Sequence, residues 1–256
     1  MEPRLFVCVL ALAPLMRNGT IIDAGANDGT TTAMLASALP AGRFEFLSIE
    51  PVRFNVARLR AVARNLSASA RITVVHGGIG SAPGIDHYPS LLDHAPDKHS
   101  SLSLQKVSAG FVSSYASMLR RLTPTADVSR SNTSSFRVHT IDGLFDPART
   151  PHAWPHRRLA FAHIDVEGAE LEVLLGGRAT IERDRPPMTV ETFPRVRKKA
   201  HTRLVETLAA ELQYAVFEID EPCGWPPDCR NLLCVPSINV DLVEVVQQCP
   251  YSTRIA

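Results

Sequence analysis

The sequence predicts an α/β fold of the doubly wound kind, a mostly parallel sheet with crossover helices. Three observations point to that class. Short apolar runs alternate with helical stretches between positions 20 and 76. An acid-and-glycine turn, "IIDAGANDGTT" (21–31), stands where the first apolar run stops. After a polar interval the alternation resumes and continues to about residue 235.

In chain order, "LFVCVLALAPLM" (5–16) follows Met1-Glu2-Pro3-Arg4 and has the length and composition of a signal-peptide core. No A-x-A-like cleavage site separates it from the first strand, so residues 1–18 are read as an N-terminal helix buried under the sheet. A signal or short anchor is the alternative. Thr20–Ala24 reads as a strand, and Thr30–Leu39 as a helix closed by Pro40 and Gly42. Phe44–Ile49 is a strand stopped by Glu50-Pro51, Arg53–Asn65 a helix and Arg71–His76 a third strand. Residues 80–135 are rich in Ser, His, Pro and Asp, with a helix expected at 107–122. Too few apolar residues lie there for a separate core, so the interval is an insertion within one domain spanning 1–256. Strands are expected again at 136–141, 159–165 and 188–192, with a helix at 169–176. A helix at 201–212 leads into a strand at 214–219, and 231–235 closes the sheet.

Composition sets the outer bounds. A chain of 256 residues with 45% hydrophobic content can bury a substantial core. A net charge of +1 gives no sign of a nucleic-acid partner. No apolar run reaches the roughly 18 residues of a membrane span. The compartment is read as cytoplasmic by default, or a secretory lumen if residues 5–16 direct export.

The opening turn carries the chemistry. Ligands of open α/β sheets bind beyond the carboxyl ends of the strands, at strand-to-helix turns. Gly25 and Gly29 are spaced G-x-x-x-G, without the middle glycine of the dinucleotide fingerprint and without the G-K-[ST] of a phosphate loop. An NAD-type oxidoreductase is disfavoured on that ground. Asp23 two residues before Gly25 suits a ligand with an amino-acid end. Gly25 lets a ligand approach the backbone, Gly29 opens a helix whose N–H groups receive a carboxylate, and Asp23 faces an ammonium. S-adenosylmethionine has both charges. Glu50, ending the second strand, is placed to accept from a ribose diol.

"IIDAGANDG" with "SIEP", then "HIDVEGAELEVLLGG" (163–177) and "NLLCVP" (231–236), resembles the FkbM-type S-adenosylmethionine-dependent methyltransferases. The likeness runs from about Gly19 to Pro236, apart from the insertion. It implies a Rossmann-like class I methyltransferase fold, a seven-stranded, mostly parallel sheet with helices on both faces and the last strand antiparallel, and O-methylation of a sugar, glycan or natural-product hydroxyl. By position it implies that Asp23, Gly25, Asn27, Gly29 and Glu50 bind cofactor, and that Asp165, Glu167 and Glu170 line the reaction side. Similar sequences carry Lys where this chain has His163, so a catalytically weak or inactive binding module is the alternative function. Strand alternation puts His163 and Asp165 on one face. Asp165 is the candidate to position or deprotonate the acceptor and also borders the cofactor, Glu167 shapes the pocket and His163 is its inner support.

Other features are weaker. Asp86, His87, Asp93, His94, Asp97 and His99 crowd the insertion without metal-ligand spacing, so no metal is expected and a solvated loop on the acceptor side is the reading. "RVRKK" (195–199) reads as a solvated helix entry. Asn18, Asn65 and Asn132 head glycosylation-type triplets. Of five cysteines, Cys223, Cys229, Cys234 and Cys249 lie late. In an oxidising compartment Cys223 and Cys229 could clamp the "GWPPD" loop, whereas Cys234 sits in an apolar strand as core packing.

Overall fold

The computed structural model describes residues 1–89, 133–146, 148, 158–195, 197–222 and 229–256. The expected helix at 107–122 lies outside them, as do Asp93, His94, Asp97, His99, Asn132 and Cys223. The elements in order are α1 (Pro3–Leu12), β1 (Gly19–Ala24), α2 (Thr30–Ala38), β2 (Phe44–Glu50), α3 (Arg53–Asn65) and β3 (Arg71–His76). Next come β4 (Gly78–Ile79), β5 (Gly84–Pro89), β6 (Thr133–His139), α4 (Ile141–Phe145) and β7 (Leu159–Ile164). The chain continues through α5 (Glu170–Gly176), α6 (Arg178–Asp184), β8 (Met188–Thr192) and α7 (Lys198–Glu206), with a π-helical turn at Thr207–Glu211. It closes with β9 (Tyr214–Pro222), β10 (Arg230–Pro236), α8 (Val240–Gln248) and β11 (Ser252–Arg254).

The main sheet has eight strands in the order β11-β9-β10-β8-β7-β1-β2-β3. Strands β3, β2, β1, β7 and β8 are parallel, and β10 enters antiparallel between β8 and β9. Seven of the strands expected from the sequence form it together with β11, the last of the seven, β10, being reversed, and the strand expected at 136–141 is not among them. The eighth, β11, is a short antiparallel addition at the β9 edge.

Every residue of β1, β2 and β7 is buried, which is why these strands read as largely apolar runs, with the few polar residues among them, such as Glu45 and Ser48, buried as well. Alternate side chains feed two cores. On one face Ile21, Phe46, Phe217 and Leu233 meet Leu5, Val9 and Leu12 of α1 and Leu242 and Val246 of α8. On the other, Ile22, Leu47, Val216 and Leu232 pack under Leu144 of α4, Val173 of α5 and Ile181 of α6. Leu5, Cys8, Val9 and Leu12 form the buried stripe of α1, as expected of a helix lying under the sheet. Cys234 is buried and unpaired, packed in the core as expected.

Three findings depart from the sequence reading. The expected strand at 136–141 is not in the main sheet. Its residues up to His139 belong to β6, which pairs with β4 and β5 in a separate three-stranded sheet, and 141–145 is helical. Thr140 caps that helix by accepting from the Gly143 N–H at 3.0 Å. The helix expected at 201–212 starts at Lys198, passes into the π turn and ends at Gln213, whose φ is +59°. A disulfide joins Cys8 to Cys249, with Cα atoms 5.8 Å apart, tying α1 to the end of α8 across 241 residues of sequence. Cys229 is also disulfide-bonded.

Candidate active site

A cavity of about 820 Å³ opens at the carboxyl ends of β1, β2 and β7. The turn after β1 forms one wall, with Gly25, Asn27 and Glu50 on its surface. His163, Asp165 and Glu167 form the adjoining wall. The small sheet supplies the third through Ile85, Asp86, Phe136 and Val138. Tyr88, whose ring lies 6.0 Å from that of Phe136, anchors this sheet by accepting from the Arg53 N–H at 3.1 Å. Cofactor-side and reaction-side candidates thus face a common space.

Glu50 is buried at the tip of β2 and accepts three hydrogen bonds. Its Oε2 takes the Asn27 N–H at 3.0 Å; its Oε1 takes the Val52 N–H at 2.9 Å and Asn55 Nδ2 at 3.3 Å. The carboxylate therefore links the glycine turn to the start of α3 as well as bordering the cavity. Burial pushes its pKa up to about 7, against the pull of those donors. Asn27 itself has φ +48°, a conformation Asn tolerates.

Asp23 lies beneath the turn rather than on the cavity wall. Its Oδ2 accepts from the Thr32 hydroxyl, which also contacts Ser48 Oγ at 2.8 Å, while Oδ1 is buried without a partner. Burial raises its pKa to about 6, partly offset by the Thr32 bond. An orphaned carboxylate oxygen one layer below a cavity fits a cationic ligand group reached directly or through water.

The glycines have different reasons for being there. Gly25 has φ +83°, and a Cβ on it would sit 1.8 Å from the Asp165 carbonyl oxygen. The expectation that a side chain would intrude on ligand space is thereby corrected: the close neighbour is the backbone after β7. Gly29, φ +90°, precedes α2, and a Cβ there would meet Leu59 Cδ1 at 2.8 Å. Its absence of a side chain lets α2 and α3 approach.

Asp165 follows β7, its N–H donating to the Ala24 carbonyl at 3.0 Å, which seats it beside the glycine turn. Burial raises its pKa to about 6. Glu167 stands in the left-handed region, φ +58°, next to Gly168 at φ +106°. Burial, then the charges of Asp165 and Glu170, lift its pKa to about 8. His163 is buried on the same wall, with Nδ1 2.7 Å from Thr189 Oγ1. Burial lowers its pKa to about 3, so the imidazole is neutral near pH 7. Burial thus favours a neutral hydrogen-bonding role here over a charged stand-in for a lysine.

Glu170 does not line this cavity. Its Oε1 accepts from the Gly168 N–H at 2.7 Å, and it borders a smaller cleft with Thr192, Phe193 and Arg197. Burial raises its pKa to about 7. Glu172, two residues on, lines both the main cavity and the cleft. Arg197 of the basic run turns inward, over the Phe193 ring at 4.9 Å and towards the Glu167 carbonyl at 3.3 Å. Lys198 and Lys199 stay outside, as a solvated helix entry requires.

The residue that sequence reasoning missed is Glu191. It is the penultimate residue of β8, next to β7, and is buried. Burial and then the charges of Asp165, Glu167 and Glu170 raise its pKa well above the usual carboxylate range. An acid inside the apolar run "MTVETF", at a carboxyl strand end, was the available signal. Its Oε1 lies 2.9 Å from Cys229 Sγ.

The chain resembles several solved methyltransferase structures. It is 19% identical to the methyltransferase FkbM from Methylobacillus flagellatus KT, with TM-score 0.52, covering 88% of this chain and 47% of that one. It therefore spans about half the length of that relative, and the likeness concerns the fold. Aeropyrum pernix fibrillarin, solved with natively bound S-adenosyl-L-methionine, is 13% identical with TM-score 0.48, covering 91% of this chain and 74% of its own. No curated protein matches. The methyltransferase FkbM domain model matches residues 23–218, from the acid before the glycine turn to the middle of β9, and the chain belongs to that family.

Proposed function

We propose that this domain transfers a methyl group from S-adenosylmethionine to a hydroxyl oxygen of a sugar, a glycan or a small natural product. The observation that carries the reading is one cavity with the Gly25–Glu50 wall on one side and Asp165 and Glu167 on the other. Membership of the FkbM family supports the reaction class.

Asn27 and Glu50 would hold the ribose and adenosine side, with the Gly25–Gly29 turn offering backbone N–H groups to the carboxylate. Asp23, with its unpartnered Oδ1, would balance the ammonium. Bound there, S-adenosylmethionine supplies a methyl group on a sulfonium, an electrophile that needs only an aligned oxygen. Asp165 positions that oxygen and accepts its proton as the O–CH₃ bond forms and the S–CH₃ bond breaks. Glu167 shapes the wall, and neutral His163, fixed by Thr189, supports Asp165 from one pleat below. The small sheet, with Phe136, Val138 and Ile85, forms the face an acceptor would meet.

The test is labelled methyl transfer to a panel of hydroxylated acceptors, with wild type and Asp165→Asn side by side. Turnover in wild type, lost in the variant while cofactor affinity persists, is the expected result. Cofactor binding with no transfer to any acceptor would favour the binding-module reading instead.

A further inference from the structure

We infer that Asp165, Glu167 and Glu191 form a binding site for one hard divalent cation of the Mg²⁺, Mn²⁺ or Ca²⁺ class. One carboxylate oxygen from each lies within 4.8 Å of the other two. Oxygens on opposite sides of a cation are separated by at most twice the metal–oxygen bond, about 4.2 Å for Mg²⁺ and about 5 Å for Ca²⁺. The 4.8 Å separation lies inside the Ca²⁺ span, and a smaller cation would draw the three acids together by some tenths of an ångström. All three are acid oxygens, the donor set that hard cations take and soft ones do not.

Glu191 points independently to a missing partner. Its residue is 5% exposed, Oε1 rests against Cys229, and Oε2 is buried with no hydrogen-bond donor; its further contact is with another acid, Asp165, a contact that two carboxylates can share only through a proton or a cation. A buried carboxylate oxygen left bare is costly, and a cation beside it removes the cost. Two protein charges act on the cluster from a distance, the N-terminal ammonium on Asp165 and Arg197 on Glu167. Among the described residues no ion pair reaches any of the three, and Arg197 is directed at the Glu167 backbone carbonyl. Asp165 and Glu167 also face the cavity, so the remaining coordination positions open towards it. The spacing along the chain hides the site from sequence motifs, because two ligands follow β7 and the third lies near the end of β8.

What the cation does rests on the proposed methyl transfer. An acceptor hydroxyl coordinated to it would become more acidic and be held against the Asp165 wall. Asp165 would then act through the cation rather than alone.

The test is calorimetric titration of the full chain with MnCl₂ near neutral pH, with MgCl₂ and CaCl₂ as parallel arms, and Mn²⁺ paramagnetic resonance as a second readout. One cation per chain is expected, with affinity reduced at least about tenfold in Glu191→Gln and in Asp165→Asn. S-adenosylmethionine affinity, titrated separately, should change little in Glu191→Gln because that side chain is off the cavity wall. Should Glu191→Gln fail to fold, the wild-type titration and Asp165→Asn decide. No binding of any of the three cations to wild type, or equal binding in a folded variant, overturns the site. Cation binding without S-adenosylmethionine binding would leave the site standing and remove the methyl-transfer reading; the converse would do the opposite.

Discussion

Glu50→Gln separates a ligand-binding carboxylate from a loop-bracing one, because the two roles predict opposite balances of stability and affinity. In the folded chain the carboxylate accepts from the Asn27 N–H, the Val52 N–H and Asn55 Nδ2. Glutamine keeps one acceptor oxygen and turns an amide NH₂ towards the remaining donor. The loss is about one charge-assisted bond, roughly 1.5–3 kcal/mol. Against it stands the burial of the charge. A folded pKa of about 7 against an ordinary 4.5 corresponds to a cost of about 3 kcal/mol for the ionised form. An acid with a raised folded pKa binds protons more tightly folded than unfolded, so wild type loses stability as pH rises from 4.5 through about 7. That cost is already net of the three bonds, so above the window Glu50→Gln, free of the buried charge, should melt no lower than wild type at about pH 8, while being relatively less stable at about pH 5. Cofactor binding has no such compensation. Two ribose hydroxyls would lose one of two anionic acceptors, costing roughly 1.5–3 kcal/mol, or about 10- to 150-fold in Kd. Calorimetry with S-adenosylmethionine at about pH 8, paired with thermal melts, reads both quantities. An unchanged Kd would refute the ribose role and leave Glu50 as a brace between turn and helix.

Further outcomes follow from the same geometry. Gly25→Ala should destabilise the fold by roughly 2–5 kcal/mol in urea titration, since the Cβ meets the Asp165 carbonyl at 1.8 Å and φ is +83°; a variant as stable as wild type would contradict the packing described. S-adenosylmethionine affinity should rise with pH through the window from about 6 to about 7, where Asp23 and Glu50 ionise. Binding near the middle of that window should release protons, seen as a buffer-dependent heat, because the cationic ligand favours both anions. Cys8→Ser should lower stability by roughly 2–5 kcal/mol through loss of the bridge to Cys249, measured by denaturant unfolding under non-reducing conditions. Wild-type stability in that variant would mean that the bridge contributes nothing to the fold.

The strands of the main sheet could be read directly because both faces of β1, β2 and β7 are covered, leaving no exposed position to interrupt the apolar runs. Asp23 and Glu50 were legible for a related reason: acids ending such runs stand out. The misplacement of 136–141 has a physical origin. Residues of β6 alternate between exposed and half-buried, a pattern shared by edge strands of any sheet, and its partners β4 and β5 lie across the polar interval. Local sequence carries no record of that pairing. Gly25 was identified as special from its spacing, yet its close neighbour is the Asp165 backbone, a contact that only the β1–β7 pairing creates. Glu191 and the Cys8–Cys249 bridge escaped notice for the same reason, since each gains its meaning from a partner distant in sequence. Glu170 follows the opposite course: its position in the "IDVEGAE" segment suggested the reaction side, whereas its short bond to the Gly168 N–H commits it to holding the loop.

The most direct measurement of the central claim is a titration of the purified chain with S-adenosylmethionine, set beside one with NAD. Binding of one S-adenosylmethionine per chain, weakened in Glu50→Gln and absent for NAD, is the predicted result. No binding of S-adenosylmethionine, or binding indifferent to Glu50 and matched by NAD, would contradict it.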